Sequence, residues 1–305
     1  MYDLAIIGGG PAGVAAGVYA SRKRLKTVFI TTDWESQSTV SEGIENWIGT
    51  VKIAGSDFAK SLENHLRAYA ADIVDIKVGE YCNKVTKNEN GFEITTETGT
   101  YQAKTILITT GSRCRKLTVP GADKFEHKGI TYCASCDGPV FADQDVVVIG
   151  GGNAAFESAS QLLAYCKSVT LLNRSEEFRA DPVTVKKVLS NPKMRALTNA
   201  QLIEIKGDKF VKSLTYKNEA SETVEMPVSG IFVEIGSLPA TEFAKELVAV
   251  DPFGRVVVDA RTQATSVPGV WAAGDCTDGL YHQNNIAAGD AIKALEDIYV
   301  YIHAK

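Results

Sequence analysis

The sequence has no long hydrophobic runs and few cysteines. None of its apolar stretches approaches the length of a membrane-spanning helix, and the first residues lead directly into a predicted strand without a charged leader or cleavage site. Six cysteines in 305 residues are too few for the disulfide framework of a secreted domain. We therefore expect a cytoplasmic protein that does not bind a membrane.

Clustered positive charge and clustered metal ligands are also scarce. The net charge is −5 with no extended basic run, so no nucleic-acid partner is expected. The chain has only four histidines, and its cysteines outside one Cys-x-x-Cys pair stand alone. Zinc needs two further ligands at similar spacing, so no metal site is predicted. The single cysteines, which we expect to be inert apolar side chains, are Cys82, Cys114, Cys166 and Cys276.

Two glycine-rich loops are the main repeated feature. The first follows an apolar strand predicted over 4–7 and precedes a helix predicted over 11–22; the second lies between a strand over 146–149 and a helix over 154–166. Glycine at these positions lets a pyrophosphate approach the backbone N–H groups of a helix N-terminus, so each loop predicts a dinucleotide site. The residues assigned to them are Gly8, Gly10, Pro11, Ala12 and Gly13, and Gly150, Gly152, Asn153, Ala154 and Ala155.

The order of the predicted elements indicates an α/β fold with two Rossmann-like nucleotide-binding domains, the second inserted into the first, and small antiparallel β-insertions. Residues 1–117 and 240–305 form the discontinuous domain, and residues 118–239 form the inserted one. The connectors over 118–121 and 236–239 are where a hinge would lie.

Periodic apolar residues predict further elements of the outer domain. A helix over 56–71 buries a stripe that ends at Tyr69, a hairpin joins 81–86 to 92–96, and 253–258 forms another strand. A last helix should pack back onto this domain through its apolar residues, which are Ile286, Ile292, Leu295, Ile298 and Ile302.

A Cys-x-x-Cys motif, Cys133 and Cys136, is followed directly by Asp137. Two cysteines at this spacing can close a small disulfide ring that accepts two electrons and passes them on. Half of a zinc site and a structural bridge are the alternative uses of the motif.

The two glycine loops, the motif at 133–139, Thr109-Thr110-Gly111 and the segment 269–275 occur in an order that resembles the low-molecular-weight thioredoxin reductases. The likeness spans essentially the whole chain, and it is equally close to the C-terminal flavoprotein half of alkyl hydroperoxide reductase. It implies a homodimer with FAD on the outer domain and a pyridine nucleotide on the inserted domain.

By the same resemblance, Cys136 faces the flavin, Cys133 attacks the disulfide of a protein substrate, and Asp137 is the acid/base that protonates a thiol. A helix cap is the alternative role for Asp137. The resemblance also implies that hydride from the nicotinamide reduces the flavin, that the flavin reduces the disulfide, and that a domain rotation brings the two partners to the flavin in turn. The remaining FAD residues implied are Asp33, Gln37, Asn46, Thr110, Gly111, Gly274, Asp275, His282 and Gln283.

The chain departs from the family pattern after the second strand. The family has Gly-Gly-Gln, whereas this chain has Glu35 and Ser36 before Gln37, so side chains stand where glycine would give freedom beside the flavin. The acid expected at the end of that strand is displaced to Asp33.

The electron donor is the second departure. Of the family's basic motif for NADPH, Arg174 and Arg179 remain, and both can hold a 2′-phosphate, so NADPH is expected ahead of NADH. Ferredoxin as the donor stays open, because some relatives that lack the intact basic motif use it.

The leading hypothesis is an FAD-dependent thioredoxin reductase that uses NADPH and reduces a thioredoxin or glutaredoxin-like protein. The alternatives are an NADH-dependent peroxide-reductase flavoprotein, which residues 153–155 and 274–277 resemble, a ferredoxin-linked reductase, and a non-catalytic flavin-binding redox sensor.

Overall fold

The computed structural model describes residues 1–34, 36–39, 41 and 43–304. The chain divides into two compact units, one of residues 1–113 and 238–305 and one of residues 114–237. Each is described here by itself. In the part of the chain that is described, no helix has both the length and the apolar composition needed to cross a membrane.

The strands, numbered in chain order, are β1 (Tyr2–Ile7), β2 (Thr27–Thr31), β3 (Val74–Val78), β4 (Cys82–Asn88), β5 (Gly91–Thr96), β6 (Thr100–Ile108), β7 (Ser112–Cys114), β8 (Ile130–Thr131), β9 (Asp145–Ile149), β10 (Ser168–Leu172), β11 (Met194–Leu197), β12 (Gln201–Gly207), β13 (Val211–Lys217), β14 (Thr223–Pro227), β15 (Gly230–Val233), β16 (Ser237–Pro239) and β17 (Val270–Ala272). The helices are α1 (Pro11–Arg22), α2 (Gly55–Ala70), α3 (Ala122–Phe125), α4 (Ala134–Asp137), α5 (Asn153–Leu162), α6 (Pro182–Leu189) and α7 (Asn284–His303), with 3₁₀ turns at Gly138–Phe141 and Glu242–Ala244.

A seven-stranded sheet forms the centre of the first unit, in the order β3-β2-β1-β6-β5-β4, with β17 also paired to β6. Strands β3, β2, β1, β6 and β17 are parallel, whereas the β4–β5 hairpin joins β6 antiparallel. Helices α1 and α7 pack together over one face, where Leu4, Ile6 and Leu107 are fully buried. Strands buried on both faces need the near-continuous apolar sequences that this chain supplies.

The α/β class is confirmed, and α1 has the predicted bounds because Pro11 fixes its first turn. Helix α2 begins and ends one residue before the prediction. Its expected core stripe is wrong at Tyr69, which is 42% exposed and lies beside His65 and Arg22. A tyrosine at the end of an apolar stripe can keep its ring at the surface and its hydroxyl in water.

Helix α7 packs back onto the first unit as predicted, with Leu295 and Ile298 fully buried. The expectation is wrong for Ile286, which is 37% exposed. The close approach of α1 and α7 buries small side chains between them, namely Ala287, Ala291 and Ala294.

The strand predicted over 253–258 is wrong. Gly254 has φ +84°, and Asp251 accepts hydrogen bonds from the backbone N–H groups of Phe253 and Arg255 and from Arg255 Nε. An aspartate that bonds backbone two residues ahead favours a turn, and here it overrides the β-propensity of the valines. Within the described residues 253–258, only isolated bridges form, both at Val256.

The second unit contains a five-stranded parallel sheet, in the order β11-β10-β9-β15-β8, and a three-stranded antiparallel sheet, β12-β13-β14. Helix α5 ends at Leu162, four residues before the prediction, because the chain turns over 163–165. The chain passes between the units through β7 and β16, which pair with each other.

Candidate active site

The first glycine loop joins β1 to α1. A Cβ at Gly8 would lie 2.3 Å from the carbonyl oxygen of Thr109, and one at Gly13 would lie 1.9 Å from the carbonyl oxygen of Gly8. At Gly10, by contrast, no atom of the described chain lies within 4 Å of an added Cβ. Among the described residues no side chain caps α1 either, so its N-terminal N–H groups face open space suited to an anion.

The displaced acid lies beside this loop. A Cβ at Gly9 would be 2.4 Å from Thr31 Oγ1 and 2.8 Å from the carbonyl oxygen of Asp33, and Thr31 Oγ1 donates a hydrogen bond to that same oxygen, at 2.5 Å. The backbone of Asp33 therefore packs against the loop although the residue follows the strand by two positions. Glu35, which the sequence places near the flavin, lies outside the described residues.

Gln37 and Asn46 are held by parts of the chain distant in sequence. Gln37 Nε2 donates to the carbonyl oxygen of Ser112 at 2.6 Å, and Asn46 Nδ2 donates to Gln283 Oε1 at 3.0 Å. Asn285 Nδ2 donates to the carbonyl oxygen of Asn46 at 2.7 Å. The structure thus brings Asn46 and Gln283 together at the N-terminus of α7.

Asp275 lies close to the first turns of α1 and α7. A Cβ at the preceding Gly274, where φ is +81°, would be 3.4 Å from the Cβ of Ala12 and 3.2 Å from that of Ala287. Burial raises the pKa of the Asp275 carboxyl, and the nearby His282 opposes this shift.

Four buried side-chain polar atoms of this unit have no hydrogen-bond partner within the described chain: Trp34 Nε1, Thr110 Oγ1, Gln263 Oε1 and His282 Nε2. Thr110 and His282 are the two of these residues that the sequence assigns to FAD. A buried polar group without a partner is costly, so such atoms commonly serve a ligand. Gly111, next to Thr110, has φ +66° and no described atom within 4 Å of an added Cβ. Together with the open space at Gly10, these features fit a bound dinucleotide such as FAD.

The second glycine loop repeats the design of the first. A Cβ at Gly150 would lie 2.2 Å from the carbonyl oxygen of Glu234, whereas one at Gly152 would meet nothing within 4 Å among the described atoms. Ala155 takes the third glycine position and is fully buried. Helix α5 has no side-chain cap within the described chain, so this loop also fits a pyrophosphate.

The segment after β10 is fastened to this loop through the buried Asn173. Its Nδ2 donates to the carbonyl oxygens of Ser175 and Glu177, both at 2.9 Å, and the backbone N–H of Arg179 donates to the carbonyl oxygen of Gly151 at 2.8 Å. Asn153 Oδ1 accepts from the N–H of Asp181 at 2.8 Å. The segment that carries the exposed Arg174 and Arg179 is therefore held beside the loop.

Cys133 and Cys136 form a disulfide with their Cα atoms 5.3 Å apart. Cys133 has extended backbone and precedes α4, and its Sγ accepts a hydrogen bond from the N–H of Cys136 at 3.2 Å. Cys133 is half-buried and Cys136 is exposed. The sequence spacing is thus realised as a closed ring at the start of a helical turn.

Asp137 ends α4, and within the described chain its side chain makes no capping bond at the following 3₁₀ turn. Its carboxylate accepts a short hydrogen bond from Thr131 Oγ1, which also accepts from the N–H of Cys133 at 3.4 Å. Burial raises the pKa of Asp137, while the Thr131 hydrogen bond and the charge of His127 oppose the shift. Thr131 was missed by sequence reasoning, since nothing but its closeness to the dithiol distinguishes it.

Three of the single cysteines, Cys82, Cys166 and Cys276, are buried, and Cys114 is half-buried. Burial raises the pKa of Cys82 to about 12 and that of Cys276 to about 11, and it also raises the pKa of Cys166. These three thiols therefore stay protonated near neutral pH. In the described ranges of the chain, no group of three or more His, Cys, Asp or Glu residues is arranged to hold a metal ion.

Comparisons with known proteins agree with this geometry. Residues 2–291 match the family model described as pyridine nucleotide-disulphide oxidoreductase. The chain is 37% identical over 303 residues to a protein named NADH dehydrogenase from Bacillus subtilis, covering 99% of this chain and 58% of that one. It is 40% identical over 299 residues to a subunit of alkyl hydroperoxide reductase from Pseudomonas aeruginosa, covering 96% of this chain and 57% of that one. The chain thus spans less than three-fifths of the length of these relatives.

Two solved structures match nearly end to end. Thioredoxin reductase from Streptococcus pyogenes has a TM-score of 0.92 at 31% identity, covering 100% of this chain and 99% of that one. Thioredoxin reductase from Giardia duodenalis has a TM-score of 0.93 at 33% identity, covering 99% and 98%. The resemblance inferred from the motifs, to thioredoxin reductases and to the peroxide-reductase flavoprotein, is confirmed.

Proposed function

Because the chain belongs to the pyridine nucleotide-disulphide oxidoreductase family, we propose that it is a thioredoxin reductase-like enzyme that passes electrons from NADPH through FAD and the Cys133–Cys136 pair to a thioredoxin-like protein. The observation that carries the proposal is the closed disulfide beside a partly buried carboxyl, in the same unit as a glycine loop for a dinucleotide. A structural bridge would need neither neighbour.

FAD is assigned to the discontinuous domain, residues 1–117 and 240–305. The open N-terminus of α1 would take its pyrophosphate, and Asp33 and Asp275 would accept hydrogen bonds from its hydroxyl groups. Thr110 Oγ1 and His282 Nε2, which have no hydrogen-bond partner among the described residues, support the same assignment. Gly8, Gly13, Gly111 and Gly274 give the backbone its close approach, and Pro11, Ala12, Gln37, Asn46 and Gln283 complete the proposed site.

The nicotinamide dinucleotide is assigned to the domain of residues 118–239. Its pyrophosphate would lie at Gly150, Gly152 and the first turn of α5, which includes Asn153, Ala154 and Ala155. NADPH is the proposed donor because Arg174 and Arg179 carry charge suited to a 2′-phosphate and no carboxylate ends β10. The segment that holds them is fixed by Asn173.

NADH is the second candidate donor. The observation in its favour is the identity of 37–40% to relatives named as an NADH dehydrogenase and as a subunit of alkyl hydroperoxide reductase. Exposed Glu176 and Glu177 also lie in the segment that carries the arginines, where they would oppose a phosphate.

Bound FAD would supply two-electron transfer between the nicotinamide and the disulfide. The chain's own residues bind, orient and move protons. The thiolate of Cys133 would attack the substrate disulfide and form a mixed disulfide with it. The thiolate of Cys136 would then attack the sulfur of Cys133, close the ring again and release the substrate as a dithiol. Asp137, whose pKa is raised by burial, would carry the proton that a leaving thiolate needs.

The partner is proposed to be a thioredoxin or glutaredoxin-like protein, and the assembly a homodimer in the cytoplasm. The basis is the similarity to solved thioredoxin reductases over nearly their whole length.

The test is anaerobic stopped-flow measurement of flavin absorbance after mixing with NADPH or NADH, followed by turnover with thioredoxin. We expect faster bleaching by NADPH. The Cys133→Ser variant should still bleach but lose protein-disulfide turnover, whereas the control Cys82→Ser, far from the dithiol in sequence and inert by its raised pKa, should retain it. Turnover that survives in Cys133→Ser would contradict the assigned dithiol, and a preference for NADH would select the second donor. Bound flavin that neither nucleotide bleaches would point to ferredoxin or to a redox sensor.

A further inference from the structure

Glu234 is a carboxyl that the proposed chemistry does not use. It follows β15 directly, and its backbone N–H donates to the carbonyl oxygen of Ile149 at 2.8 Å, at the end of β9. Its own carbonyl oxygen lies where a Cβ on Gly150 would clash, at 2.2 Å. The residue is therefore built into the edge of the second glycine loop.

The side chain of Glu234 is directed towards α5. Its Oε1 accepts a short hydrogen bond from the hydroxyl of the buried Ser158. Among the described residues, the charge that shifts the pKa of Glu234 is that of Glu157, which is also on α5. Arg115 lies 4.0 Å from the position of a Cβ on Gly236, two residues after Glu234. Burial and the charge of Glu157 raise the pKa of Glu234 to about 7, against the effect of the Ser158 hydrogen bond.

The sheet order locates this carboxyl relative to a dinucleotide. From β9 the chain proceeds to β10 and β11 on one side, whereas β15 and β8 lie on the other, so the strand order reverses between β9 and β15. Ligands of such sheets bind outside the carboxyl ends of the strands at this switch point. The Asn173–Arg179 segment follows β10 and fits the adenosine half, which leaves the nicotinamide half on the side of β15 and Glu234.

We propose that Glu234 is a specificity residue of the dinucleotide site, whose ionised carboxylate lies on the nicotinamide side of the loop and favours the cationic oxidised ring over the neutral reduced one. The inference rests on the proposed function, since it requires a nicotinamide dinucleotide at the second loop. A negative charge beside the ring stabilises only the oxidised form, so product release depends on the protonation of Glu234.

Binding to the FAD-loaded protein tests the inference without turnover. Calorimetry would compare NADP⁺ with 2′-phospho-ADP-ribose, which keeps both phosphate groups but has no ring, at about pH 6 and about pH 8.5. NAD⁺ with ADP-ribose forms a parallel pair if NADH is the donor. Because each pair shares its phosphates, their titration cancels in the ratio of the two dissociation constants.

In the wild-type protein, the preference for NADP⁺ over 2′-phospho-ADP-ribose should grow about fivefold between these pH values, as expected for one half-buried charge pair. Glu234→Gln keeps the size and a hydrogen-bond acceptor for Ser158 but should make the ratio independent of pH. Glu225→Gln is the matched control, because Glu225 also accepts from a serine hydroxyl, that of Ser213, but lies on β14. It should behave as the wild type.

A second variant keeps the test informative if Glu234→Gln folds poorly. Ser158→Ala removes the hydrogen bond that opposes the raised pKa, so the rise in the ratio should move to higher pH. A ratio that is flat in the wild type, or that still rises in Glu234→Gln, would overturn the inference while leaving the dinucleotide site in place. If neither the dinucleotides nor the ring-free ligands bind, the proposed function and this inference fail together.

Discussion

Replacing Thr131 by valine should destabilise the second unit in a pH-dependent way. Valine keeps the shape of threonine but cannot donate to the Asp137 carboxylate, which is partly buried. A hydrogen bond to a charged group contributes about 1.5–3 kcal/mol, and one between neutral groups about 1 kcal/mol. We therefore expect a loss of about 1.5–3 kcal/mol where Asp137 is ionised and about 1 kcal/mol where it is protonated.

The direction of this pH dependence follows from the raised pKa of Asp137. Burial makes the ionised form costly in the folded state, so stability falls as the pH rises through the folded pKa. The Thr131 hydroxyl offsets part of this cost. The difference between wild type and Thr131→Val should therefore grow from about pH 4.5 to about pH 8.

Urea unfolding, monitored by amide hydrogen exchange in β9 and β15, would measure this difference in stability. Exchange is preferred to tryptophan fluorescence, because all three tryptophans, Trp34, Trp47 and Trp271, lie in the first unit. Thr131→Ser should restore the stability. The control is Thr215→Val in the same unit, because Thr215 is buried and its hydroxyl has no partner among the described residues, so its loss should cost nothing. Equal losses for Thr131→Val at both pH values would refute the reasoning.

Three further predictions concern the loops and the thiols. Gly13→Ala should prevent correct folding of the first unit, since its Cβ would lie 1.9 Å from a backbone oxygen. Gly10→Ala should leave the free energy of unfolding nearly unchanged but lower the flavin content of the purified protein. Equal effects of the two variants would contradict a structural role for Gly13 and a ligand-binding role for Gly10. Asn173→Ala should weaken the binding of NADP⁺, measured by calorimetry, because the segment that carries the arginines loses two anchoring hydrogen bonds. An unchanged affinity would show that these bonds are not needed to position the segment. In the native protein after mild reduction, a thiol reagent should modify Cys133 and Cys136 at neutral pH but not Cys82, as mass spectrometry of peptides would reveal.

The elements that the sequence predicted well are those whose signals are local. Helix α1 has its predicted bounds because Pro11 sets the start and the Ala- and Val-rich run is continuous. The strand over 253–258 failed because Asp251, outside the window, directs a turn through three hydrogen bonds. Periodicity alone does not register such a competing contact.

Candidate site residues divide in the same manner. The glycines and cysteines can be recognised from their spacing in the sequence. Thr131 and Glu234 are identified only by their hydrogen bonds with Asp137 and Ser158 in the structure. The Ser158–Glu234 pair is separated by 76 residues in sequence. No local pattern along the chain encodes a contact of this kind, because one partner lies on α5 and the other follows β15.

The two glycine loops explain why one tolerates alanine where the other does not. In the first, Gly13 leaves no room for a Cβ because the carbonyl oxygen of Gly8 is 1.9 Å from that position. In the second, Ala155 fills the same position and is fully buried, and its Cβ lies 3.2 Å from where a Cβ on Gly150 would be. The backbone of α5 therefore stands further from its loop than that of α1. The need for glycine at the third position of such a motif therefore depends on the distance between helix and strand. At the middle position, where an added Cβ would meet no described atom in either loop, the need for glycine comes from the ligand.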